Sequence, residues 1–124
     1  MRIYTSYYRK IDKVGSEFAL IQVSNSKPVW FVWNVSKLPE VYPDWSNVQA
    51  FKYGVMTEDE FEKAYRDKLA QLDRNTILSK IETIANKDGF ERDVVLLCWE
   101  GTGKFCHRHI LAEWLGNNTE EWDE

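Results

Sequence analysis

The chain of 124 residues holds only two cysteines, Cys98 and Cys106, and that scarcity excludes a scaffold built on disulfides. It also lacks any apolar run near the roughly 20 residues that a membrane-crossing helix needs. The opening stretch, Met1-Arg2-Ile3-Tyr4-Thr5-Ser6-Tyr7-Tyr8, has neither a long apolar segment nor a small-residue cleavage site. A cytoplasmic location with both thiols reduced is the resulting expectation. No internal repeat, low-complexity tract or linker divides the sequence. Positive charge is in deficit as well, with 16 bases against 20 acids and a net charge of −4. Four of those acids fall in residues 119–124, which carry no base, so the remainder is balanced at 16 against 16. Such a balance excludes a broad surface for duplex nucleic acid, while one local anion site stays open.

What is present is apolar and aromatic: 44% of residues are hydrophobic and 15% aromatic, too many for a disordered chain. One domain is expected over residues 1–118, followed by a frayed acidic tail over 119–124. Residues 2–8 alternate and are rich in Ile, Thr and Tyr, as a first strand requires. After a connection over Asp12–Ser16, the run Phe18-Ala19-Leu20-Ile21-Gln22-Val23 reads as a second strand, stopped by polar residues and Pro28. Residues 29–55 resist assignment. Thr57 and Glu60 form a capping-box pattern, and Phe61, Ala64, Tyr65, Leu69 and Leu72 share one face of a helix over 58–72. A second helix is expected from about Thr76 to Lys87, with Gly89 as its stop. Val94-Val95-Leu96-Leu97-Cys98-Trp99 is continuously apolar, as a strand covered on both faces must be. A third helix starts near Cys106 and ends at Gly116.

A two-helix stretch before the 94–99 run supplies the crossover that parallel strands need. The expected fold is therefore a small three-layer α/β domain, its mostly parallel sheet flanked by helices and residues 94–99 near the centre. An α+β fold with a hairpin of the first two strands is the competitor.

The segment Leu96 to His109 joins a buried strand, a loop with Gly101 and Gly103, and a helix start. In open α/β sheets, ligands bind at the carboxyl ends of strands, where helix N-termini aim free N–H groups outward. Cys106, His107 and Arg108 fall there. A thiol beside a helix start and a cation is biased towards thiolate, and Arg108 can fork onto a carboxylate or phosphate. Glu100 is the candidate base or partner of His107. Cys98, inside the apolar run, reads first as a packed thiol, and His109 as a plain first-turn residue. Thr5, Ser6 and Lys27, near strand ends, would line the same crevice if the strands are parallel. The spacing C-x7-C-H-R-H matches no usual zinc finger or ribbon, and adjacent ligands on a helix start point apart, so no metal is expected. The residues name no cofactor. Gly103-Lys104 is no phosphate loop, because Cys98 stands where its first glycine belongs and Phe105 replaces Ser or Thr. Trp30, Phe31, Trp33 and Trp45 read first as core, with a stacking platform as the alternative.

Leu96-Leu97-Cys98-Trp99-Glu100, a loop, and Cys106-His107-Arg108 leading into Leu111-Ala112-Glu113-Trp114-Leu115 resemble the C-terminal signature of the family called domain of unknown function 488. Ile3-Tyr4-Thr5-Ser6-Tyr7 resembles its first strand, and Gln22 to Phe31 the second strand and loop of one subgroup. Where many relatives carry an acid and an arginine after strand two, this chain has Ser24 and Lys27. The resemblance implies a compact α/β fold and singles out Cys98, Glu100, Cys106, His107 and Arg108. It implies no particular reaction. Three functions follow: an enzyme acting on a small anionic or nucleotide-like substrate, a non-catalytic binding domain for a phosphate, nucleotide or nucleic-acid component, or an interaction protein that docks a partner through its tail and tryptophans.

Overall fold

A computed structural model describes residues 1–100 and 105–122. The run Val94–Cys98 becomes β4, buried at every residue, and takes a parallel partner on each side. On one side lies β1 (Ile3–Tyr7), with Ile3 opposite Val94. On the other lies β2 (Ala19–Gln22), with Ala19 opposite the same Val94. The first two strands therefore never touch, and the hairpin alternative is excluded. Between them, α1 (Tyr8–Ile11) and a 3-10 turn at Gly15–Glu17 carry the chain across β4. Two short strands finish the sheet: β3 (Ser36–Lys37) beside β2, and β5 (Glu120–Glu121) beside β1. The order is β3-β2-β4-β1-β5, parallel throughout.

Pleating divides the core, since alternate side chains point to opposite faces. Ile3, Ile21, Val94 and Leu96 face α3 (Glu58–Ala70), α4 (Arg74–Ala85) and α5 (His107–Leu115), and meet Phe61, Tyr65, Leu69, Ile77, Ile81 and Leu111 there. Leu20, Val95 and Leu97 face a smaller layer made by Tyr8, Ile11 and Phe31. The expected three-layer α/β architecture is the one observed. Among the described residues no helix is long and apolar enough to cross a membrane.

The capping box at α3 is complete: Glu60 N donates to Thr57 Oγ1 at 3.1 Å and Thr57 N to Glu60 Oε1 at 2.9 Å. After α5, Gly116, Asn117 and Asn118 all adopt positive φ (60°, 51° and 58°). Glycine and asparagine are the residues that tolerate this region. The turn they make sends the chain back along the sheet.

Two expectations need correction. The tail does not fray over residues 120–122. Glu120 and Glu121 pair with Tyr4 and Thr5, and Trp122 N donates to Thr5 O at 2.8 Å. Residues 123–124 lie outside the described chain. The unassigned stretch 29–55 contains a further helix, α2 (Trp45–Lys52), whose Val48 and Phe51 pack on the core. Its aromatic residues also part company. Phe31 is buried and Trp33 half-buried, whereas Trp30 and Trp45 are exposed.

Candidate functional site

At the carboxyl ends of β2 and β4 a hollow of about 120 Å³ opens to solvent. Ser24, Asn25 and Ser26 line it from beyond β2, and Cys98, Trp99 and Glu100 from the end of β4. Phe105, Cys106 and His107 close it from the start of α5, and Trp45, Val48, Phe51 and Phe61 wall it from α2 and α3. The loop after β2 is held by its own polar groups: Gln22 Nε2 donates to Ser24 O at 2.8 Å, and Ser24 Oγ to Ser26 O at 2.7 Å. Asn25 Nδ2 ties it to Pro43 O at 3.0 Å. Trp99, half exposed at the rim, donates from Nε1 to Ser26 O at 2.9 Å.

The two cysteines meet at the hollow. Their sulfurs are in contact and stand as a disulfide, at a Cα separation of 7.5 Å that exceeds the usual span of about 4.4–6.8 Å, so the two thiols expected to be free are brought together. Sequence could not foresee the contact, because it depends on α5 starting against the end of β4. Cys98 is 1% exposed and Cys106 4%.

His107 lies beside them. Its Nε2 stands 2.7 Å from Val23 O, and a carbonyl only accepts, so Nε2 carries the ring proton. Nδ1 is then an unprotonated lone pair, 3.9 Å from Cys106 Sγ. Tyr65 packs edge-on against the ring at 5.3 Å and donates its hydroxyl to Val41 O at 2.6 Å. Burial draws the imidazole pKa down to about 4. The hydrogen bond to Val23 O pulls the other way, and the charges of Arg108 and His109 add to the lowering. Neutral imidazole is therefore the form at physiological pH. The partner expected for it, Glu100, is replaced by a backbone carbonyl.

Arg108 is fully buried and its guanidinium is spent internally. Nε and Nη2 fork onto Glu121 at 3.1 and 3.0 Å, and Nη1 donates to Cys98 Sγ at 3.1 Å and to Glu100 O. The Tyr7 ring covers it at 5.4 Å. The expected anion fork is thus occupied by the chain's own carboxylate. Burial raises the Glu121 pKa, but hydrogen bonds from Arg108 and Thr5 outweigh it and hold the carboxyl below its usual range.

The other expected site residues part from the hollow. Thr5 faces α5 and donates to Glu121 Oε1 at 2.7 Å, whereas Ser6, one residue on, points to the opposite face. A crevice lined by both is excluded by the pleat. Lys27 donates to Phe31 O at 2.8 Å within its own loop. Glu100 stays on the hollow wall, exposed. The loop glycines Gly101 and Gly103 lie outside the described residues. Sequence reasoning missed the Val23 carbonyl, the aromatic wall of Phe51, Phe61 and Phe105, and Glu121. Only Glu121 left a signal, as one acid in an acidic tail.

The profile of a family described as "DUF488-N3a: Active DUF488-N3 subclade" matches residues 17–119. The chain belongs to this family. The resemblance carried by Cys98-Trp99-Glu100 and Cys106-His107-Arg108 is thereby confirmed, and in this DUF488 chain those residues surround one strand end. No curated protein and no solved structure matches it.

Proposed function

We propose that this DUF488 protein is an enzyme acting on a small, flat, nucleotide-like substrate held in the hollow, with Cys106, His107 and Glu100 as its reacting residues. One observation carries the reading: an aromatic-walled hollow ends on an unprotonated imidazole nitrogen and a sulfur pair. Size narrows the occupant, since an apolar cavity on the order of 150 Å³ admits one benzene ring. The hollow takes a single ring, and the rest of a nucleotide would lie outside, over Trp45 and Trp99. Both indoles are half exposed and offer stacking faces. Negative charge on such a substrate is favoured by the dipole at the start of α5 rather than by Arg108. The word "active" in the family description accords with catalysis.

Reduced protein titrated with free bases, nucleosides and nucleotides, read by tryptophan fluorescence and thermal shift, tests the reading. A saturable ligand is expected, with affinity about tenfold weaker in Trp45→Ala, the size of one stacking contact. Turnover of that ligand should fall in His107→Gln and Glu100→Gln while binding persists. Binding without turnover in the unaltered protein would make this a recognition domain instead. Absence of saturable binding across the panel overturns the proposal.

A further inference from the structure

We propose that Cys98, Cys106 and His107, once the sulfurs are reduced, bind a thiophilic divalent ion such as zinc, with one coordination position open to the hollow. The inference rests on the preceding reading only for where the chemistry happens. It adds the cofactor class that this floor would take. The objection raised by adjacency of Cys106 and His107 disappears in three dimensions, because one donor atom from each of the three residues lies within 4.8 Å of the others.

Three features favour an ion. First, His107 is arranged as metal-ligating histidines are: one ring nitrogen donates to a backbone carbonyl, which fixes the tautomer and aims the other lone pair inward. Second, the Cα atoms of Cys98 and Cys106 are 7.5 Å apart. That exceeds the usual disulfide span of about 4.4–6.8 Å. Two bonds of about 2.3 Å to a tetrahedral zinc hold sulfurs roughly 3.8 Å apart, which suits a wider backbone separation. Third, charge balances. Two thiolates neutralise one divalent ion, and Arg108, whose Nη1 reaches Cys98 Sγ, is itself neutralised by Glu121. A bare dithiolate in this buried place would not be compensated.

Two sulfurs and one imidazole nitrogen select zinc or a similarly soft ion over magnesium or calcium. Three protein ligands leave a fourth position for water or substrate, as in catalytic rather than structural zinc sites. That position faces the hollow, on whose wall Glu100 stands.

A phosphine reductant supplies two electrons, and with two protons from water the S–S bond becomes two thiols, leaving the phosphine as its oxide. The ion then displaces those protons, releasing up to two per ion.

The full chain, reduced by a phosphine under anaerobic conditions and freed of metal by chelation, is titrated with zinc against a chromophoric chelator and with cobalt by absorption. One equivalent should bind, with thiolate-to-cobalt charge transfer and tetrahedral bands, and zinc binding should release protons. Cys98→Ser and Cys106→Ser should abolish the charge-transfer band or halve it, and His107→Gln, which removes a ligand outright, should weaken affinity by more than the roughly 10–100-fold that loss of a partner outside the ligand shell costs. Uptake below one equivalent by the folded unaltered chain overturns the inference, whatever the variants do. Octahedral cobalt bands, or affinity indifferent to His107→Gln, also overturn it by reducing the site to a chelating thiol pair. Ligand binding and turnover in metal-free protein that also takes up less than one equivalent of zinc would sink the ion but spare the enzyme reading. An ion bound with no planar ligand recognised would do the reverse.

Discussion

Arg108 carries five N–H donors into the interior and finds partners on three segments: Cys98 and Glu100 from β4 and its end, Glu121 from β5, and the Tyr7 ring from β1. Removing it leaves Glu121 without its fork. Breaking a buried pair costs about 3–5 kcal/mol, and because the Glu121 side chain is 32% exposed the cost here is about 2–3 kcal/mol. Arg108→Met should lower urea stability by that amount, and Arg108→Lys should restore little of it, because an ammonium cannot fork. A full rescue by lysine would refute the bidentate role. Acid should expose two more residues in turn. The folded pKa of His107, about 4, lies under its ordinary 6.5, so the unfolded chain takes the proton first. Its contribution is whole above about pH 6.5 and declines as pH falls towards 4, by on the order of 3 kcal/mol in all. Glu121 is also depressed, so its contribution is present above its ordinary 4.5 and is lost below it. In urea midpoints followed from neutral into acid, His107→Gln should flatten the upper part of the decline and Glu121→Gln the lower. The site's residue types were legible from one stretch of sequence. The Val23 carbonyl was not, because a backbone acceptor 84 positions away has no side-chain signature.

Elements with strong local signals were legible and the others were not. Helix α3 declares itself by a capping box and a regular apolar stripe, and both operate in the structure. Thr57→Ala removes one reciprocal bond and should cost about 1 kcal/mol, seen as a lower melting temperature with unchanged fold by circular dichroism. A change within error would mean that tertiary packing alone holds the start of α3. Helix α2 shows the opposite case. It has no fully buried residue and no side-chain cap bond, and it follows a stretch broken by Pro39 and Pro43. What supports it is contact: Phe51 meets Phe61 and Phe105 at 5.4 and 5.2 Å, and Lys68 pairs with Asp44 at 3.0 Å. Such support arises only once α3 and α5 are in place, which is why the wall of the hollow escaped a reading along the chain.

At the scale of the molecule, the sheet is closed on one side by its last strand. Residues 120–122 cover the edge of β1, supply the carboxylate for Arg108, and receive Lys10 Nζ on Trp122 O at 2.9 Å. A chain ending at Asn118 should therefore lose more stability than Glu121→Gln does, because the buried guanidinium loses its partner and an edge is uncovered together. It should also self-associate through that edge, visible in light scattering. Equal stability of the truncated and full chains would show that the tail is an ornament. Charge counting alone suggested a solvated acidic tail, since composition carries no register.

The order of apolar runs and caps was sufficient for the architecture: a fully apolar β4 after two helices demands burial on both faces and hence parallel neighbours. Those facts are local, and hydrophobic periodicity transmits them. Three things were decided only by the tertiary structure: which strands flank β4, that Cys98 meets Cys106, and that the guanidinium of Arg108 turns inward to Glu121. Each depends on groups distant in sequence arriving at one strand end, and their pairing energy exists only after the sheet has formed.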